Sequence, residues 1–517
     1  MPKIDEKKFL FLLIFLHLAI ALPLAFYLNI WTDEASTLYT TQNGFFQTFD
    51  NLFTDEKQAP LYFLTMSLWR KISDSILWAR LFSIICSALA IKIFFDLARR
   101  IWDDKRAFFV AAFFALHPFL FWASLEIRLY SLVVLLSVLL LRSFYDGYLD
   151  KEFVSREGAK AQKTAQIFYF ITSVIALYTN YYLGFLLVGC FAALLVLRRW
   201  TEARKYFMQM LFVGLAILPL LWIVQQQFSV RVFHFQTERT TFEGLSILWN
   251  HFLTFALPTE IFPPEEVSAF SIVRIWLVRI AILAFLIISV RNRGKNLDEK
   301  TLAFGTIVAV ISAFLLFVYF QLGAGYVEIR HASVFFAPFI LLVFSILTGI
   351  LTQSNKGAKT QSRRFIIPSF ILLYAIFFSY SLFTLYPNFV KRGDWARVAA
   401  FIEQNEKPDQ PVVIFQAYDA IALPFYYKGV NKILPGEKFF AFDLEDKPGT
   451  TKSYRGQIEF IVSKIPPDAE EIWLLTNEKC AVGEACLPLE NFVAANYTIV
   501  EEKYFYKERA RLLRRKK

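Results

Sequence analysis

Apolar residues in this chain come in long runs separated by short polar stretches, without the alternation of a half-buried strand. Runs of about 17–25 residues are long enough to cross a bilayer core of roughly 30 Å as helices. They fall near residues 9–30, 76–97, 107–123, 129–145, 167–179, 182–197, 207–225, 268–290, 301–322, 331–350 and 365–386, which predicts about eleven membrane-spanning helices. The fifth run is short enough to be tilted or merged at its outer end.

Three pieces break this pattern. Residues 31–75 form a first large loop, in which Leu61 to Ile72 has apolar residues at helical spacing but too few to span, so it should lie at the membrane interface. Residues 226–267 form a second, with a helical stretch near 243–256. From about 388 the long runs stop. A helical Trp395–Gln404 precedes a strand-like Val412-Val413-Ile414-Phe415 and a helical Tyr418–Tyr427, then strands at Ile472-Trp473-Leu474-Leu475 and near Tyr497–Tyr506. This predicts two domains, residues 1–387 in the membrane and 388–517 as a small α/β layer domain. The latter lacks a Gly-rich phosphate fingerprint, and its basic tail Lys507–Lys517 reads as solvated.

Composition agrees. Of 517 residues, 56% are hydrophobic and 58 are phenylalanine, more apolar surface than a water-soluble core absorbs. The formal charge of +11 is dispersed over many loops, which excludes a nucleic-acid surface and instead sets topology. Lys3, Lys7, Lys8, Arg99, Arg100, Lys105, Arg106, Lys151, Lys160, Lys163, Arg198, Arg199, Arg204 and Lys205 share one side, which is therefore cytosolic. An odd number of crossings then puts the C-terminal domain outside the cytoplasmic membrane. The first run is longer than a signal-peptide core and has no small-residue cleavage site before Trp31, so it reads as a retained anchor. Cys86 and Cys190 lie in apolar runs as packing residues; Cys480 and Cys486, in Cys-Ala-Val-Gly-Glu-Ala-Cys, favour a disulfide over a zinc site.

Charge at the outer membrane surface is costly, so each such residue is a candidate for function. Asp33 and Glu34 come first, in Ile30-Trp31-Thr32-Asp33-Glu34-Ala35-Ser36. On a helix they diverge by about 100°, so they should have different roles; the plainer alternative is a cap and a first-turn acid offsetting the helix dipole. Glu126, Arg128 and Tyr130 offer an acceptor, a guanidinium fork and a hydroxyl within one short turn, which suits a phosphate, against the alternative of an internal Glu126–Arg128 ion pair. Arg330-His331, with Glu328 just upstream, runs against the topological charge bias and asks for an anionic partner, a lipid headgroup being the plainer choice. Tyr178-Thr179-Asn180-Tyr181-Tyr182 is a polar aromatic turn that an interfacial belt also explains. His117, His234 and His251 have no metal-ligand spacing.

These segments, taken with Ala-Pro-Leu-Tyr-Phe at 59–63, Ala79-Arg80-Leu81 with Ser87, and Ser124-Leu125 before Glu126, resemble in order and membrane side the bacterial GT-C glycosyltransferases. The nearest group is the protein-mannosyltransferase-like and RgtA/B/C/D-like branch, related to the aminoarabinose transferase of lipid A. The resemblance covers about residues 9–350, and the C-terminal domain only in layout.

The resemblance implies an inverting transfer of sugar from a polyprenyl-phosphate donor to a glycan, lipid or protein acceptor at the outer face of the membrane. It implies Asp33 as general base and Glu34 as its neighbouring carboxylate, Arg128 and Arg330 on the donor phosphate with Lys57 able to join them, and Glu126 and Tyr130 orienting Arg128 or the sugar. Tyr62, Asn180, Tyr181 and His331 are further candidate substrate contacts. The chain departs from the family with Gln58-Ala59-Pro60 for His-Pro-Pro, Asn180 for His, and Arg330-His331 for Arg-Tyr. The first two remove imidazoles, which puts metal assistance in doubt; no cofactor is firmly implied, and a divalent metal is left open. The rival class, a transporter or lipid-linked-sugar flippase, predicts paired broken helices with ionisable groups at mid-bilayer.

Overall fold

The computed structural model describes residues 5–53, 58–230, 241–256, 258, 261, 276, 280, 298–322, 327–353, 375–376, 378–415, 419–434, 454–477, 480 and 486–517. They form two compact units, Met1–Ala25 with Thr40–Leu385, and Phe26–Tyr39 with Tyr386–Lys517. The chain passes from the first unit into the second between Leu385 and Tyr386. The acid-bearing stretch 26–39, however, groups with the C-terminal residues and not with the membrane helices that flank it.

The helices of the first part of the chain are α1 Glu6–Tyr27, α2 Thr32–Thr40, α3 Phe45–Asn51, α4 Pro60–Arg70, α5 Ile76–Ile101, α6 Asp104–Ala115, α7 Pro118–Leu125, α8 Tyr130–Phe144, α9 Lys151–Thr179, α10 Leu183–Val196, α11 Trp200–Ala216, α12 Leu218–Val230, α13 Thr241–Ala256, α14 Glu299–Leu322 and α15 Ser333–Gln353. Among the described residues four are long and apolar enough to cross a membrane: α1, α5, α8 with its π-helical extension to Leu149, and α14. Counting the bent pairs α6/α7 and α11/α12 as single spans makes six. The protein is therefore multi-pass, but the count of eleven is not reached. The run 268–290 and much of 365–386 lie outside the described residues, and α10 is short.

Both bends have a local cause. Proline has no N–H and clashes with the carbonyl four residues back, so a helix restarts at it. The 48° bend of α6/α7 falls just before Pro118 and the 57° bend of α11/α12 just before Pro219. At the first, His117 Nδ1 accepts from Phe119 N at 3.1 Å while Nε2 donates to Phe255 O at 3.3 Å, so the neutral ring satisfies both groups. Around this joint Phe114 stacks on Phe94 at 3.9 Å, and Phe119 and Phe336 meet at 4.9 Å. Such pairs contribute about 0.5–1.5 kcal/mol each beyond burial.

Helix α5 packs on α6, α7 and α8, α8 on α9, and α10 on α14. The α10/α14 approach depends on Gly189, where a Cβ would lie 3.0 Å from the Ile307 carbonyl. Several polar side chains inside the bundle find partners within it, the favourable arrangement in a low-dielectric interior. Arg80, fully buried on α5, donates to the Ala25 carbonyl at 2.8 Å. His17 on α1 lies 3.0 Å from both Ser87 Oγ and the Ala115 carbonyl.

The second unit contains α16 Trp395–Asn405, α17 Leu423–Tyr426, α18 Tyr454–Lys464, α19 Leu487–Asn496 and strands β1 Val412–Ile414, β2 Ile433–Leu434, β3 Glu471–Asn477, β4 Tyr497–Tyr504 and β5 Glu508–Arg515. The strand order is β2-β1-β3-β5-β4, with β1 parallel to β2 and β3, and β5 antiparallel to β3 and β4. Alternate residues of β3 face opposite ways. Ile472 and Leu474 join Leu489, Val493 and Ile461 in one core, while Trp473 meets Phe401 of α16 at 5.6 Å. Cys480 and Cys486 are bonded to each other, and Cys86 and Cys190 are buried and free, as the spacing and the apolar runs predicted.

The basic tail is the main correction. Instead of a solvated tail, residues 508–515 are β5, bonded on both sides, with residues 508–513 buried. Its charges are neutralised in place: Arg511, fully buried, donates to both oxygens of Glu490 at 2.7 and 2.8 Å, and Arg509 pairs with Glu502 at 2.5 Å.

At the sheet edge Arg514 Nε donates to Glu471 at 2.8 Å and Gln410 Nε2 at 2.5 Å. The Arg514 guanidinium, with the Gln410 amide behind it, holds the Glu471 carboxyl below its ordinary 4.5 against the opposing effect of burial. A lowered folded-state value stabilises above the unfolded value and loses that contribution as pH falls through the folded one. Protection of the β3 and β5 amides against hydrogen exchange should therefore weaken as pH drops below about 4.5. In Glu471→Gln this acid-linked part should vanish, by under about 1 kcal/mol because Arg514 is largely exposed; an unchanged acid limb in the variant would refute it.

Candidate active site

Sequence folds the acidic pair into the first turn of α2. With Trp31 as the N-cap, Glu34 is the third helical residue, and its Oε2 accepts the Trp31 N–H at 3.3 Å, half of a capping box. Its Oε1 receives Lys391 Nζ at 2.9 Å, and both side chains are buried, Glu34 completely. Both Glu34 oxygens are thus committed. Asp33 lies on the less buried face with Ser36 and Tyr39, while Glu34, Ala35, Thr37 and Leu38 are buried. The divergence of adjacent helical side chains gives the two acids the different surroundings expected of them.

Lys391 sits in a strap that is itself tied to α2. Asn29 Oδ1 accepts from Lys391 N at 2.7 Å, and Asn29 Nδ2 donates to the carbonyls of Lys391, at 3.1 Å, and Gly393. The Tyr426 hydroxyl accepts from Ile30 N at 2.7 Å, and the Arg392 guanidinium lies 4.2 Å above the Trp31 ring. Gly393 has φ +133°, a conformation open to glycine, and a Cβ there would lie 2.8 Å from Glu508 Oε1.

The phosphate candidates belong to the other unit. Glu126 and Arg128 occupy the break between α7 and α8, Tyr130 opens α8, and all three are buried, an expensive placement for two charges. Ser83 Oγ donates to the Glu126 carbonyl at 2.7 Å, Arg128 lies 5.8 Å over the Phe63 ring, and Tyr130 stacks on Trp122 at 4.8 Å. Tyr62, fully buried on α4, packs on Phe82 of α5 at 6.0 Å.

Arg330 has a carboxylate partner at hand. Its Nη2 donates to Glu328 Oε1 at 2.7 Å and its Nε lies 2.7 Å from Oε2. Beside it His331 Nδ1 accepts from Glu328 N at 3.2 Å, and the His331 ring meets Tyr182 at 5.5 Å. The Asn180 turn is thereby brought to Arg330-His331. Asn180 Oδ1 accepts from Tyr182 N at 2.8 Å, and Tyr181 donates to Gln227 Oε1 at 3.0 Å. Buried Gln227 donates in turn to the carbonyls of Leu52, at 3.1 Å, and Gln58, at 2.9 Å, fastening the first large loop to α12. Lys57 and His234 lie outside the described residues. No group of three His, Cys, Asp or Glu side chains that could hold a metal occurs among the described residues.

Lys391 and Asn29 carry no signal in the sequence, and Gln227 stands in Gln225-Gln226-Gln227 without a role that the sequence defines. Lys391 is one of two adjacent cations, with Arg392, in a linker-like stretch, and only its burial against Glu34, 357 residues away, gives it meaning. Gln227 did carry a signal, as the last of three consecutive glutamines at the end of an apolar run.

No protein-family model matches the chain, and no curated protein matches its sequence. Among solved structures it is similar to ArnT from Cupriavidus metallidurans in the apo state, with a TM-score of 0.53, 13% identity, and coverage of 96% of this chain and 97% of that one. The same protein bound to undecaprenyl phosphate gives a TM-score of 0.43 at 14% identity over 96% and 97% of the two chains. The Archaeoglobus fulgidus oligosaccharyltransferase in complex with Zn and sulfate gives 0.43 at 14% identity over 93% of this chain and 71% of that one. The apo ArnT match shows the fold alone: this chain has an ArnT-like fold over 96% of its length, in keeping with the order of its motifs.

Removing one member of a buried pair strands the other, at about 3–5 kcal/mol. Lys391→Met alone should therefore loosen residues 32–40 in hydrogen exchange by that order, while Glu34→Gln with Lys391→Met costs less than the sum of the single changes. Strict additivity would show that the pair does not couple.

Proposed function

We propose that this protein is a membrane glycosyltransferase that moves a sugar from a polyprenyl-phosphate donor to an envelope glycan, lipid or protein acceptor, with inversion and with Asp33 as general base. The observation that carries the reading is the division of labour at α2. Glu34 is held by Lys391 and the Trp31 amide, while Asp33, next to it on the less buried face of α2, is the acid we assign as base. The ArnT-like fold over 96% of the chain and the motif order support the reaction class. Fold alone would not.

In this mechanism the Asp33 carboxylate takes the proton of the acceptor hydroxyl as its oxygen attacks the anomeric carbon. The bond from that carbon to the lipid phosphate breaks, and Arg128 and Arg330 hold the charge of the departing phosphate, Arg330 by exchanging Glu328 for it. Glu126 and Tyr130 orient Arg128 or the sugar, and Lys57 joins the phosphate site. Tyr62, Asn180, Tyr181 and His331 line the substrate path, and Glu34 acts by holding the first turn of α2. The chain would span the cytoplasmic membrane eleven times, with its N-terminus cytosolic and the domain from 388 outside.

The two bent helix pairs are what a transporter or flippase would show. Each bend, however, is explained by a proline. The ionisable residue at one of them, His117, is satisfied by backbone groups, and the α11/α12 bend at Ile217 has none.

Two substitutions test the proposal with reconstituted full-length protein. Asp33→Asn should lower transfer at least about 100-fold while donor binding persists; normal turnover would remove Asp33 from the role of base. Arg128→Ala should weaken donor binding by about 1.5–3 kcal/mol, the range for a hydrogen bond to a charged group, and equal affinity would dissociate it from the phosphate.

A further inference from the structure

Away from these residues, a cavity of about 840 Å³ opens between α9 and α11, helices that pack on each other. Its rim carries Lys163 from α9 and Arg204 and Lys205 from α11, with Trp200 and Thr201 beside them. All three cations are exposed, and none makes an ion pair or hydrogen bond with another of the described residues. By contrast Arg99, Arg106, Arg142 and Arg199, on the same basic side, pair with Glu6, Asp103, Asp146 and Glu299.

Moving along α11 from Arg204 the lining turns apolar through Met208 to Phe212, and along α9 from Lys163 it does so through Ile167. At 1.5 Å per residue, Arg204 to Phe212 covers about 12 Å. That is a headgroup-to-chain gradient. The polar floor offers little to a competing ligand, because Gln209 donates to the Gln166 carbonyl at 2.6 Å and Gln166 to the Gly147 carbonyl at 3.0 Å.

We propose that this groove is a binding site for an anionic phospholipid, its phosphate held by Lys163, Arg204 and Lys205 and an acyl chain laid along Ile167, Met208 and Phe212. Free phosphate satisfies the cations but leaves the apolar wall uncovered; a zwitterionic lipid brings its own cation to a rim of three. Basic pockets between membrane helices at the cytosolic side recognise lipid headgroups by this logic. The site is independent of the transfer reaction and stands or falls without it.

The test is native mass spectrometry of the delipidated full-length protein in detergent, titrated with dioleoyl-phosphatidylglycerol, dioleoyl-phosphatidylcholine or inorganic phosphate. Phosphatidylglycerol should be retained over phosphatidylcholine, and Lys163→Gln/Arg204→Gln/Lys205→Gln should weaken it at least 10-fold. Lys163→Arg/Lys205→Arg should retain it. So should Lys7→Gln/Lys8→Gln/Lys105→Gln, which removes as much charge from the same side. Equal binding of the two lipids, undiminished binding in the first triple variant, an equal loss in the second, or displacement of the lipid by millimolar phosphate would each overturn the proposal.

Discussion

A carboxylate and an ammonium buried together are tolerated only while they stay together, and the second unit is arranged around such a pair. Glu34 and Lys391 are both removed from solvent. Desolvation of two ions costs several kcal/mol each, and proximity with supporting hydrogen bonds offsets it. The supports are present: the Trp31 amide on Glu34, and Asn29 bridging to the Lys391 backbone in both directions. The start of α2 is thereby held at a fixed angle to the strap 386–394. Asp33, one residue away in the same helical turn, shares that anchoring.

The first unit solves a different problem with the same physics. Polar atoms are costly to leave unmet in an apolar bundle, and Arg80, His17, His117 and Gln227 each bond to backbone carbonyls from other helices or loops. These bonds also join distant segments. Gln227 links the first large loop to α12, and Ser83 fixes the Glu126 carbonyl at the α7/α8 break, so the candidate phosphate residues stand on a cross-braced frame.

Much of this could be read in the sequence where the signal is local. The long apolar runs gave α1, α5, α8 and α14, and short β-prone apolar stretches gave β1, β3 and β4. Asp33, Arg128 and Arg330 stood out because charge beside an apolar run is costly. What failed was nonlocal. Seven basic residues in the last eleven read as a solvated tail, yet residues 508–515 are a buried strand, because Glu490 and Glu502 neutralise arginines that no local rule could pair. The strand Ile433–Leu434 is two residues long and has no pattern to find. Lys391 was passed over for the same reason as the tail: its partner is across the chain.

That separation has a temporal side. Ribosomes add roughly 5–20 residues per second, so the 357 residues between Glu34 and Lys391 take on the order of 20–70 s to make. Throughout that interval the Glu34–Lys391 pair cannot form, and the acid-bearing turn is without its strap. The acid-bearing turn is thus among the first segments synthesised and among the last to be set. A nascent or truncated chain would carry its membrane helices with this turn still unlocked, so the setting of Glu34 waits on a residue made 357 positions later.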